Sequence, residues 1–211
     1  MGTAHAGGAM RSSASGAGVV GRVEDGWTMT MHQPWASLVM TGIKRAEGRV
    51  WGADFRGWLW IHAGGKPPMQ ADVEAIEAMY REVYAEGDPR PGKASLPSQG
   101  DAALAATPRP LRFPTSYPTG CLLGCVYIAG MASNDEYQRL RGRLPPSVTA
   151  ESESPFVFLC ERPRRLASPV TMRGQHKLWR LAPRAAAAEY AAGLLPVEAP
   201  QPVCFPLDHA S

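Results

Sequence analysis

The sequence predicts an α+β fold, a small β-barrel of about five or six strands with two main helices. Three observations carry that expectation. Apolar stretches of strand length recur between Gly- and Pro-containing turns. Helical spacing of apolar residues is sustained in only two of the longer segments ahead of residue 100. No apolar run approaches the roughly 18 residues that a membrane-crossing helix needs. The chain has 211 residues, 45% of them apolar, but 31 of these are alanine, so the core is expected to be local with loose ends around it. Length favours one domain over two.

Residues 1–26 are dominated by Gly, Ala and Ser and are expected to form a flexible tail. Gly16, Gly18 and Gly21 spell GxGxxG there, without the preceding strand and following helix that a phosphate-cradling turn requires. Order is expected from Trp27, where Trp27-Thr-Met-Thr-Met31 reads as a short strand. A helix follows, with Pro34 in its first turn, Trp35, Leu38 and Val39 on its buried face and Gly42 as its left-handed stop. The segments 44–51 and 58–63 are expected to pair, joined through a turn at Arg56-Gly57. From Met69 to Tyr84 the pattern is an amphipathic helix that would cover one side of the sheet. Seven prolines make 87–119 a long irregular insertion. Cys121 to Ile128 reads as a central strand buried on both faces, and 156–160 and 177–181 as two more. The domain is thus expected to span 27–182, and 183–211 to be a loose tail with a short helix near 185–195.

Net charge is only +3, from 22 Lys and Arg against 19 Asp and Glu, but its distribution is polar. Residues 161–184 carry seven cations and one acid, while 72–88 carry six acids and one cation, so one side should be basic and another acidic. Cys121, Cys125, Cys160 and Cys204 contain no CxxC pair, and the five histidines lack metal-binding spacing, so no metal or cofactor is expected. The thiols read as reduced and intracellular.

Three strings belong together: Met31-His-Gln-Pro-Trp-Ala-Ser-Leu38, Gly42-Ile-Lys-Arg-Ala-Glu-Gly-Arg49 and Arg56-Gly-Trp-Leu-Trp-Ile61. They resemble the opening of an ASCH domain. Tyr117 to Val126, Glu151 to Phe158 and Lys177 to Leu181 resemble its later blocks in order, so the resemblance covers Trp27 to Leu181. It implies a PUA-like β-barrel, a role in RNA metabolism or transcriptional coactivation, and a cleft for nucleic acid or a nucleotide-like ligand. RNA or DNA, bound without strong sequence preference, and proteins of a coactivator assembly are the implied partners. Coactivator members of the family carry a cysteine-rich zinc-binding region ahead of the domain, a pattern not found among the residues before Trp27. Small bacterial relatives resemble amidohydrolases acting on acetylated cytidine, with a lysine and a threonine three residues later. Lys44 matches that lysine, but Glu47 stands in the threonine's place.

Candidate ligand-binding residues fall in three groups. Lys44, Glu47 and Arg49 form a charged cluster in which Glu47 would orient two phosphate-binding cations. In an extended strand Lys44 and Glu47 would face opposite sides, so an irregularity is expected between them. His32, Gln33 and Ser37 stand at the start of the first helix, where exposed N–H groups favour an anion. Arg173-Gly-Gln-His-Lys177 is a basic loop in which Arg173, Gln175, His176 and Lys177 would follow a phosphate backbone, extended by Arg162, Arg164 and Arg165. Arg56 is flanked by Trp51 and Trp58, which are candidates for base stacking, whereas Trp35 reads as core. No catalytic residue is assigned: there is no GxSxG elbow, and a carboxylate at 47 would keep Lys44 protonated.

Overall fold

The computed structural model describes residues 18–85 and 109–206. The chain runs β1 (Val19–Gly21), a 3-10 turn (Val23–Asp25), β2 (Trp27–Met31), α1 (Trp35–Met40), β3 (Ala46–Arg49), β4 (Phe55–Ala63) and α2 (Gln70–Ala85). It continues with β5 (Cys121–Ser133), α3 (Asn134–Gln138), α4 (Pro146–Thr149), β6 (Phe156–Thr171), β7 (Leu178–Arg180), α5 (Arg184–Ala192) and β8 (Leu194–Pro196).

All eight strands join one mixed sheet in the order β3-β6-β5-β4-β2-β7, with β1 added beside β4 and β8 beside β6. Its terminal strands β3 and β7 are not paired with each other, so the hydrogen-bonded ladder is open where a closed barrel of fewer strands was expected. The extra strands come from chain that reads as loop. β5 and β6 run far past their apolar cores because register shifts at Leu122/Gly124, Cys125/Tyr127 and Ile128/Gly130 let a polar, Pro-containing stretch stay paired. Gly124 makes one of these shifts possible. Its φ is +155°, and a Cβ there would stand 2.2 Å from the carbonyl oxygen of Arg164.

Two local expectations are corrected. The 44–51 segment does not pair with 58–63; β3 pairs with Phe156 to Leu159 of β6, and Arg56-Gly57 lies inside β4 rather than in a turn. β4 instead lies between β5, antiparallel, and β2, parallel. Likewise α2 does not cover the sheet. Its buried Tyr80 packs with Leu38 of α1 and Ile43, and Leu111 and Phe113 of the insertion close over the same cluster.

One face of the sheet meets α1 through Met29, Met31, Val39, Leu59, Ile61, Val126 and Phe158. On the other, Trp60, Leu122, Cys125 and Trp179 pack with Leu181, just past β7, and with Ala187 of α5. Gly42, at φ +70°, ends the first helix as its position suggested.

Order begins before Trp27: β1 runs parallel to β4, and Trp60 Nε1 donates to the carbonyl of Val23 at 2.9 Å. Of the expected N-terminal tail, residues 1–17 lie outside the described residues, as do 87–108 of the insertion and 207–211 of the C-terminal tail. Gly18 precedes a strand and Gly21 ends it, so neither sits in a strand-to-helix turn. The C-terminal segment is likewise tied down. β8 pairs with β6, Phe205 is buried, and its N–H donates to Glu161 at 2.7 Å. Arg45, buried at the foot of α1, donates to the carbonyls of Cys160, Gln201 and Val203, and those partners were invisible in a Pro-rich sequence.

Candidate functional site

A cavity of about 710 Å³ opens where the ends of β2, β3 and β4 meet the loop between β6 and β7. Arg49 and His62 line its inner part, Trp51 one wall, and His32, Arg173 and Lys177 its exposed rim, with Gln175 and His176 beside them. Among the described residues that line it there is no Asp or Glu. Three permanent cations therefore face one concavity with no acid among them, an arrangement that attracts an anion. Lys177 holds a left-handed backbone, φ 57°, where the loop enters β7.

Arg49 is the fixed cation. One guanidinium nitrogen lies 2.9 Å from Glu47 Oε1 and donates to the carbonyl of Thr30 at 3.2 Å, with the side chain 21% exposed. Glu47 also faces Lys44 at 3.5 Å. The irregularity expected between these two is the turn out of α1: β3 starts only at Ala46, so Lys44 lies ahead of the strand. There it is buried. Its ammonium donates to the carbonyl of Ala46 at 2.5 Å and sits 5.0 Å from the centre of the Trp35 ring. It does not line the cavity, so the expectation that Lys44 touches phosphate is corrected; it serves as an internal counter-charge for Glu47. Nearby Cys160 is buried, and burial foremost pushes its thiol up to about 12.

The first helix offers no anion site either. Gln33 accepts from the Ser37 N–H at 3.1 Å and donates to Ser37 Oγ at 2.8 Å and the Pro118 carbonyl at 2.7 Å. Both side chains are buried, tie α1 to the insertion and do not line the cavity. Only His32 of that group reaches the rim.

Arg56 lies elsewhere. Its Nε donates to Tyr127 Oη at 3.3 Å, on a sheet face where Trp58 and Tyr127 meet edge to face at 5.6 Å. Arg162 lies 4.0 Å from the Tyr127 ring centre and Arg164 4.3 Å from that of Trp58. These arginines do not extend the cavity, and Trp58 is capped by Arg164 rather than open for base stacking. Trp51 does line the cavity, half-buried against Phe158. Trp35 packs on Tyr80 as core.

Two residues escaped sequence reasoning. His62 ends an apolar strand whose alternation marks it only as another inward position. Glu151 sits in a polar stretch, and its carboxylate's partners lie 71 to 106 residues away. Its carboxylate accepts from the N–H of Arg45 at 2.8 Å, from the N–H of Ala46, and from Tyr80 Oη at 2.6 Å. The residue as a whole keeps some solvent contact, but the carboxyl group is enclosed by protein, and burial raises it above the usual carboxylate range against the pull of Lys44, Tyr80 and the two N–H groups. Burial and Glu151 together push the Tyr80 hydroxyl far above its ordinary value.

Comparison with known proteins agrees with the residues. The ASCH domain family matches residues 29–169. Over 158 residues the chain is 36% identical to activating signal cointegrator 1 of Mus musculus and 35% identical to that of Homo sapiens, covering 75% of this chain. The chain spans 22% of the length of these curated relatives. Among solved structures, that of ASCH from Zymomonas mobilis aligns with a TM-score of 0.40 at 11% identity, over 83% of this chain and 99% of that one.

Proposed function

The chain belongs to the ASCH domain family, and on that premise we propose that it binds nucleic acid, RNA or DNA, through the phosphate backbone and with weak sequence preference, in transcriptional coactivation or RNA metabolism. The observation that carries this reading is the acid-free cavity faced by Arg49, Arg173 and Lys177. Arg49 is pre-oriented by Glu47, so less freedom is lost when its remaining N–H groups meet phosphate oxygens. Arg173 and Lys177 are exposed on the rim, and they follow a strand leaving the cavity through its phosphates. Proteins of a coactivator assembly are further partners on this reading, suggested by the relatives' name.

Cation–phosphate binding has a signature. Three phosphate contacts release about three counterions' worth of charge, so the log of the binding constant for a single strand should fall against log salt with a slope of about −2. Fluorescence anisotropy with labelled RNA, single-stranded DNA and duplex of mixed sequence reads that slope directly. A salt-independent affinity, or none at low salt, overturns the proposal.

A further inference from the structure

Outside the cavity, one row of side chains crosses five neighbouring strands, β1, β4, β5, β6 and β8. In its middle, Trp58 and Tyr127 are paired across β4 and β5. Arg164 lies over the Trp58 ring and Arg162 over that of Tyr127, whose hydroxyl accepts from Arg56 Nε. Val20, 68% exposed, stands opposite Arg56 at one end, and exposed Pro196 stands opposite Arg164 at the other. The centre of the row is basic and aromatic, and its two ends are apolar.

The backbone sets the arginines in place. Pairing of Cys125 with Arg164 and of Tyr127 with Glu161 leaves Arg162 and Pro163 together opposite Val126, which is a β-bulge. Arg162 takes up the extra residue at a φ of 47°, a left-handed backbone that an arginine adopts at a cost. A guanidinium held over a ring keeps N–H groups at its edge for an acceptor, in the fork that matches a carboxylate. The acid that touches the row does not meet that need. Glu161 is buried, lies 3.9 Å from Arg162 and already accepts from the Phe205 N–H. Arg164 has no carboxylate partner among the described residues.

From this complementarity we infer that the row is a docking surface for an acidic protein segment with apolar side chains at its ends. Carboxylates of the segment meet Arg162 and Arg164, and its apolar ends cover Val20 and Pro196. Nucleic acid fits less well, because the arginines cap the rings against base stacking and a strand brings nothing apolar to the two ends. Four interstrand steps of about 4.8 Å make the row about 19 Å long, the reach of about six extended residues.

The probe is therefore a fluorescein-labelled hexapeptide, Leu-Asp-Glu-Asp-Glu-Leu, with Leu-Asn-Gln-Asn-Gln-Leu as its uncharged counterpart. Anisotropy with the full chain at low salt should show the acidic peptide binding at least about tenfold more tightly. Arg162→Ala with Arg164→Ala should bring the two peptides level, with circular dichroism checking that the fold is kept. Arg164→Glu alone, which leaves the bulge untouched, should also abolish the preference. Arg173→Ala with Lys177→Ala removes the same charge at the cavity and should leave the preference intact. An unlabelled uridine decamer should not displace the acidic peptide. Equal binding of the two peptides by the natural chain, or a preference lost equally in both double variants, overturns the inference. Displacement by the decamer also overturns it and gives this face to nucleic acid. A chain that keeps the peptide preference but binds no decamer overturns the nucleic-acid proposal alone.

Discussion

Replacing Arg173 and Lys177 together by alanine is expected to weaken binding of a single-stranded oligonucleotide at low salt by more than about tenfold and to flatten the salt slope from about −2 to about −0.7. The melting temperature should not move. Both residues are exposed, and neither makes an ion pair within the described structure, so their removal leaves no buried group unpaired. Lys177 already holds its left-handed backbone with an ordinary side chain, and alanine there changes no backbone preference. The loss should be uniform across sequences, because backbone contacts carry no base information. Arg49→Ala is a poorer probe of the same idea. That change would also strip Glu47 and the Thr30 carbonyl of a partner, mixing stability with binding.

Glu151→Ala should destabilise the fold by about 3–5 kcal/mol, the largest effect expected of any single substitution considered. It would orphan the N–H groups of Arg45 and Ala46 and the hydroxyl of Tyr80, and so loosen β3, α2 and the segment after α4 at once. Glu151→Gln keeps an acceptor for the two N–H groups and a donor toward Tyr80, and should cost far less. The natural chain and Glu151→Gln also differ in pH dependence. Because burial raises the folded-state carboxyl above its ordinary value of 4.5, the unfolded chain gives up that proton first as pH rises. Stability from this group is therefore fully present below that value and falls as pH climbs through the raised one. Denaturant unfolding as a function of pH should show the decline in the natural chain and a shallower one in Glu151→Gln.

What the sequence disclosed, and what it hid, divides along one physical line. Local signals were readable: Pro34 and Gly42 bracket α1, the 3/4 spacing marks α2, and the apolar run at 121–128 marks the middle of β5. Long-range pairing was not. Gly48 and Arg49 find their partners in β6, about 110 residues on, and nothing in their composition points there. Arg162-Pro163-Arg164-Arg165 looks like a loop because its charges are polar, yet it remains in β6 through a register shift. Lys44 looked like a ligand for the same reason that it is not one. A lysine near Glu47 reads as surface charge until Trp35 and the Ala46 carbonyl are seen to enclose it. Arg49, Arg173, His176 and Lys177 do meet at one cavity, although only the fold brings them there.

The location of the bound strand is the point on which the account turns, and photo-cross-linking measures it most directly. A 4-thiouridine oligonucleotide irradiated with the full chain, followed by peptide mass spectrometry, should place adducts at Trp51 and in the peptide carrying residues 172–177. Adducts confined to the Trp58, Tyr127 and Arg162 face, or to the acidic α2, with the cavity unmarked, would contradict it.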